Sequence, residues 1–181
     1  MNSITKSILT SSAIVVLSQL GHSIHSFLFS TPNIEVFLET QGYTPLFNAK
    51  LNNFSKWKRN YQIYKNELVK IIPEIKENDE NGGFILKQWC RVKLNQEFIG
   101  KNYSYFDLTK KYCTLNIQNA ILEEEGVRTI DEISIDKGKQ LFSNYERVLQ
   151  ECKDKFRFPY IPNNKPIFTE TKKDCSTKNW L

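Results

Sequence analysis

Histidine is nearly missing from this chain: among 181 residues only His22 and His25 occur, and both lie in one N-terminal stretch. If that stretch is an address, the remaining domain has no histidine. Ser-His and Cys-His nucleophile pairs, histidine general bases and His-containing zinc sites are then withdrawn from it. Arginine is scarce as well, with Arg59, Arg91, Arg128, Arg147 and Arg157 as the only examples. The net charge of +5 therefore comes almost wholly from lysine, whereas nucleic-acid and phosphate recognition lean on the planar arginine fork. A Walker A loop, a glycine-rich dinucleotide fingerprint, an HExxH helix and a nucleophile elbow are all absent from the sequence. Cys90, Cys113, Cys152 and Cys175 are too widely spaced for a Cys-x-x-Cys redox or zinc site. No residue is singled out as catalytic, cofactor-binding or metal-ligating. An enzyme built on this domain would have to use carboxylates, lysine, tyrosine or thiols, and no signal positions a glycosidase-type carboxylate pair.

What is present begins with residues 7–29, SILTSSAIVVLSQLGHSIHSFLF, which carry no formally charged side chain. At 1.5 Å per residue such a helix reaches about 34 Å, enough for a hydrocarbon core of ~30 Å. Residues 1–30 are accordingly expected to form an N-terminal membrane anchor or signal segment. The apolar centre Ala13 to Leu17 is short, and Gly21 and Ser23 supply small residues for a cleavage site, so secretion after cleavage is the alternative. A transit peptide fits less well, because Lys6 is the lone nearby cation. Lys6 precedes the segment while Glu35 and Glu39 follow it, which orients the domain outward from a single-pass anchor in the cell membrane.

Residues 31–52 read as a linker with a short helix, IEVFLE, followed by a loop at Gly42 and Pro45. A helical domain is expected over 53–156. Phe54, Trp57, Tyr61, Tyr64, Leu68 and Ile71 recur at spacings of three and four, which is one apolar seam on one helix. Pro73 ends or kinks that helix, and 77–83 form a turn. A second helix over 84–94 offers Leu86, Trp89, Cys90 and Leu94 to the core, and a third starts at Ser104 as a cap for Tyr105 to Tyr112. Ile117, Ile121 and Leu122 suggest a further turn before Gly126. One long helix is expected from Lys137 to Lys155, with Leu141, Phe142, Tyr145, Val148, Leu149 and Cys152 on a shared face. Residues 157–181, with Pro159, Pro162 and Pro166, read as an irregular tail. The expected fold class is all-α: a small irregular helical bundle preceded by an N-terminal hydrophobic helix, with an irregular C-terminal tail.

Several features carry two readings. KWKRNYQIYK mixes rings and cations as single-strand binding requires, but Trp57, Tyr61 and Tyr64 fall on the apolar stripe, so nucleic acid is not an expected partner. Cys90 and Cys113 stand on two adjacent expected helices and form a candidate disulfide; two buried thiols are the alternative. Cys152 reads as core and Cys175 is unassigned. Glu123-Glu124-Glu125 reads as an exposed acidic patch, and Asp79 to Gly83 as a solvated turn rather than a calcium loop. Asn53-Phe54-Ser55 and Asn102-Tyr103-Ser104 match the glycosylation pattern, as chance supplies in an asparagine-rich chain.

Taken in order, the uncharged N-terminal segment, KWKRNYQIYKNELVKIIPEI, LKQWCRVKLNQEF and YFDLTKKYCTLNIQNAILEEEG give the chain a family likeness. It resembles the short paralogous membrane and surface proteins of haemotropic mycoplasmas, the wall-less bacteria that attach to red blood cells. The likeness covers about residues 1 to 130. It is carried by Trp89-Cys90, Tyr112-Cys113, Thr114 and the Glu124-Glu125-Gly126 run, with Tyr112 standing where the family often has Trp. The resemblance implies a membrane or exported protein without assigned enzymatic activity, acting at the host surface through adhesion or variable display. It implies no catalytic residue and no cofactor. Two alternatives stand beside this expectation: an exported carboxylate-based hydrolase, and a subunit of a membrane assembly.

Overall fold

The structure, a computed structural model, describes residues 31–50, 54–77, 79–99, 103–124 and 126–177. The expected anchor over 7–29 lies outside these residues, and the fold is that of the unit Asn33–Leu181.

The described fold is mostly helical. Helix α1 (Ile34–Thr40) starts at Asn33, whose side-chain oxygen accepts from the Val36 amide at 2.9 Å. Ile34 and Leu38, one turn apart, are fully buried, as is Leu46 beyond the loop. In the described part of the expected linker, 31–50, the short helix forms, and its buried side chains belong to the core for a simple reason. Three buried aliphatic side chains, each worth roughly 2 kcal/mol of transfer free energy, anchor the stretch, joined in the core by Ala49 and flanked by Phe37, Tyr43 and Phe47 packed against it. The Leu46 amide also donates to the Cys113 carbonyl, and the Leu115 amide to that of Thr44, both at 2.8 Å.

Helix α2 (Phe54–Ile71) carries the apolar seam inward through Trp57, Tyr61, Tyr64 and Leu68, while Phe54 stays half exposed. After Ile72 the proline at its first position restarts the chain as α3 (Pro73–Glu77), and a 3-10 turn over Asp79–Asn81 leads into α4 (Gly82–Leu94). Helices α2 and α4 pack closely because of Gly83: a Cβ there would lie 2.9 Å from the backbone of Lys58. Helix α5 (Tyr103–Tyr112) begins one residue before the expected Ser104 cap. Asn116 then caps α6 (Ile117–Ile121).

The expected single helix over 137–155 is two: α7 (Ile135–Leu141), capped by Ser134, and α8 (Tyr145–Phe156). Phe142 takes an extended conformation between them and breaks the shared face. The expected irregular tail is also corrected. Pro162 opens a 3-10 turn over Pro162–Asn164, and Pro166 sits in the first turn of α9 (Lys165–Cys175), where its missing N–H was never needed. Strand β1 (Arg128–Thr129) pairs antiparallel with β2 (Ser176–Thr177), Thr129 opposite Ser176.

Two hydrophobic clusters result. One gathers α1, α2, α4 and α5 around Leu38, Trp57, Leu68, Leu86 and the Cys90–Cys113 pair. The other gathers α6, α8 and α9 around Ile117, Ile130, Phe156 and the Cys152–Cys175 pair.

Candidate functional site

Helix α4 is apolar on two opposite faces. At 100° per residue Leu86, Cys90 and Leu94 fall together, and they are buried at 0–1% exposure. Phe84, Ile85, Trp89 and Val92 fall on the far side, where Phe84 is 51% and Val92 61% exposed. A helix that needs only one apolar face to fold has here been given a second. Together with Ile71, Pro73 and Tyr105, that second face lines a solvent-open groove of about 620 Å³. Lys93 closes one end with its ammonium 3.7 Å from the Tyr105 ring centroid, a cation–π contact.

A second, smaller cleft of about 360 Å³ lies between the ends of α5 and α8 and is lined by Tyr64, Asp107, Lys110, Lys111, Asp154 and Arg157 among others. Its charges are already engaged within the protein. Lys111 pairs with Glu67 at 2.5 Å, and the Tyr112 hydroxyl donates to the same carboxylate at 2.7 Å. Lys110 lies 3.4 Å from Asp107, Gln150 donates to Asp154, and the Arg157 guanidinium donates to the Ile63 carbonyl. Burial pushes the Tyr64 phenol up to about 12, so it keeps its proton and donates it to the Arg157 carbonyl at 2.8 Å. The cleft opens on a seam of paired polar groups between the two clusters.

That seam continues inward. Asn60, fully buried, donates to the Tyr112 carbonyl at 2.6 Å and accepts from Asn116 at 2.7 Å. Lys56, 1% exposed, reaches Glu123 at 2.7 Å, and Lys172 pairs with Glu124. The acidic run is therefore not the exposed patch expected: Glu123 and Glu124 each hold a lysine. Lys56 had no sequence signal at all, because its burial is set by a carboxylate 67 residues further along.

Of the residues singled out from the sequence, Cys90 and Cys113 are joined, with Cα atoms 5.6 Å apart. Cys152 and Cys175 form a second disulfide, Cα atoms 5.7 Å apart, in place of the core thiol and the unassigned cysteine expected. Its signal was present: the two pairs share one spacing of 23 residues. The groove residues were also missed, although an α4 sequence apolar on both sides marks them. Trp57, Tyr61 and Tyr64 are buried in the core. Among the described residues there is no cluster of three or more His, Cys, Asp or Glu suited to a metal ion, and no helix long and apolar enough to cross a membrane. Compared with protein-family models, with curated proteins and with solved structures, the chain matches none of them.

Proposed function

We propose that this chain is a membrane-anchored, outward-facing interaction protein whose α4 groove receives a partner at the host surface. Membership of the haemotropic mycoplasma family it resembles would make that role adhesion or variable surface display. The observation that carries the outward orientation is the pairing of all four cysteines. Disulfides of this kind persist outside the reducing cytosol. An uncharged segment at 7–29 ahead of the domain favours the same side of the membrane. The groove supports binding, because an apolar face left open to water on a folded domain is the usual mark of an interaction surface.

Proteolytic shaving of intact cells is expected to remove the domain; its survival alongside soluble cytoplasmic markers would overturn the orientation. For binding, Phe84→Glu with Val92→Asp is expected to lower attachment of the purified protein to red cells at least tenfold at unchanged unfolding midpoint, the size of effect expected when anchor residues each worth about 1–2 kcal/mol are lost. Unchanged attachment would rule the groove out as the binding surface. A subunit of a membrane assembly is favoured by the same groove, and it differs in one outcome: the groove-dependent partner then co-purifies from the protein's own cell.

A further inference from the structure

We infer that the domain is a tandem duplication, in which residues 33–115 and 116–177 are two copies of one disulfide-closed module. The copies open alike. Asn33-Ile34 and Asn116-Ile117 each start a helix, and each asparagine side chain accepts from the amide three residues on, at 2.9 Å in both. Each isoleucine is fully buried. The Ile34 amide donates to the Gln96 carbonyl at 2.9 Å and the Ile117 amide to that of Phe158 at 3.0 Å. Gln96 and Phe158 stand 62 residues apart, and so do Glu97 and Pro159, which pair with Asn33 and Asn116 in two of the isolated bridges.

After its first helix each copy turns through a glycine of positive φ, Gly42 at +82° and Gly126 at +72°, the only two such residues among those described. Such a turn favours glycine, because a Cβ is strained there. The extended residues that follow pair with the end of their own copy in one register. Pro45 lies opposite Thr114, and Thr129 opposite Ser176. Leu46 and Ile130 come next and are both fully buried.

The hairpins match over their whole length without a gap. Helices α4 and α5 correspond to α8 and α9, with the disulfides at 90–113 and 152–175. At the same shift of 62 residues Gln88, Lys93, Ile99, Asn102, Phe106, Thr109, Lys110 and Lys111 meet Gln150, Lys155, Ile161, Asn164, Phe168, Thr171, Lys172 and Lys173. Leu94 and Phe156 fill equivalent core positions at 1% exposure each. Sequence identity and hydrogen-bond register are separate observations, and both select the same pairing. The copies differ in the middle, where the first carries the long helix α2 and the second only a 3-10 turn and α7.

The pairing also bears on the groove, a consequence that rests on the proposed interaction reading while the duplication stands without it. Phe84, Ile85, Trp89 and Val92 meet Glu146, Arg147, Glu151 and Asp154, all four exposed. The second copy carries charge at all four positions; in the first, Ile85 and Trp89 pack partly against the core, and Phe84 and Val92 are the apolar residues left facing water.

The test is an exchange within the full chain. The connector Gln96–Ile99 is replaced by the residues of Phe158–Ile161, and in a longer version Asn95–Asn102 by those of Arg157–Asn164. Both chimeras are expected to retain the 90–113 and 152–175 disulfides in peptide maps and to unfold within about 4 °C of the parent. The same inserts displaced by one position are expected to lower the midpoint by more than about 8 °C. If in-register and displaced inserts behave alike, or if both in-register chimeras lose the 90–113 pairing, the duplication is wrong. Neither readout involves a partner, so a failed groove experiment leaves this result untouched.

Discussion

Tyr64 and Glu67 lie one turn apart on α2 and respond to pH in opposite directions. Burial raises the Tyr64 phenol to about 12 from an ordinary 10.0. Its folded value exceeds its unfolded one, so its contribution to stability is whole below about pH 10 and drains as pH climbs toward about 12. At Glu67 burial works the other way from its partners, but the hydrogen bonds from Lys111 and Tyr112 win and hold the carboxylate below its ordinary range. That contribution is present above the usual carboxylate range and is lost as pH falls through the lowered value. Urea midpoints measured across pH should therefore fall at both ends. Tyr64→Phe is expected to make the alkaline decline shallower, and Glu67→Gln the acid one. A Tyr64→Phe profile identical to the parent above pH 10 would show that this phenol is not the group being titrated.

At the scale of elements, the α2–α4 contact is one that a single atom can disturb against backbone. Alanine in a helix interior normally stabilises by about 0.5–1 kcal/mol over glycine. Gly83→Ala is expected to reverse that sign and cost about 2 kcal/mol, because its Cβ would meet the Lys58 backbone, which has no rotamer by which to yield. Chemical denaturation decides the sign. Which elements were legible in the sequence depends on how local their cause is. Helix α2 announced itself, since Trp57, Tyr61, Tyr64 and Leu68 repeat at helical spacing and are all buried. Helix α9 did not, because Pro166 reads as a breaker until its place in a first turn is known. The core role of α1 was hidden in two aliphatic residues, Ile34 and Leu38, on a helix whose neighbours are the distant α4 and α5. The groove was written in α4 but needed the core's position to be told from its opposite face. The polar seam was illegible, since Asn60, Asn116 and Lys56 are residue types that belong to surfaces unless a distant partner satisfies them.

For the molecule as a whole, the two clusters meet at the seam, and each carries its own cross-link. Both disulfides close loops of the same 23-residue separation, so removing either pair by Cys→Ser exchange is expected to cost about 3 kcal/mol. The losses should differ in place. Without Cys152–Cys175, hydrogen exchange should quicken at the Ile117 amide and across α8 and α9, while the Leu46 and Cys113 amides of the first cluster stay slow. Uniform acceleration over both clusters would show one cooperative unit instead of two. The same cross-links also set the covalent graph of the chain. Each disulfide begins and ends within a single cluster, so only the backbone between Cys113 and Cys152 ties one half covalently to the other. A single protease cut in that stretch, for instance near Gly126, divides the polypeptide into two separately cross-linked chains held together by the seam and by α6, which stays on the first chain while its Ile117 and Ile121 pack in the second cluster. Release of the second chain would therefore strip Ile117 and Ile121 out of its core, so the nicked protein is expected to stay associated until it unfolds.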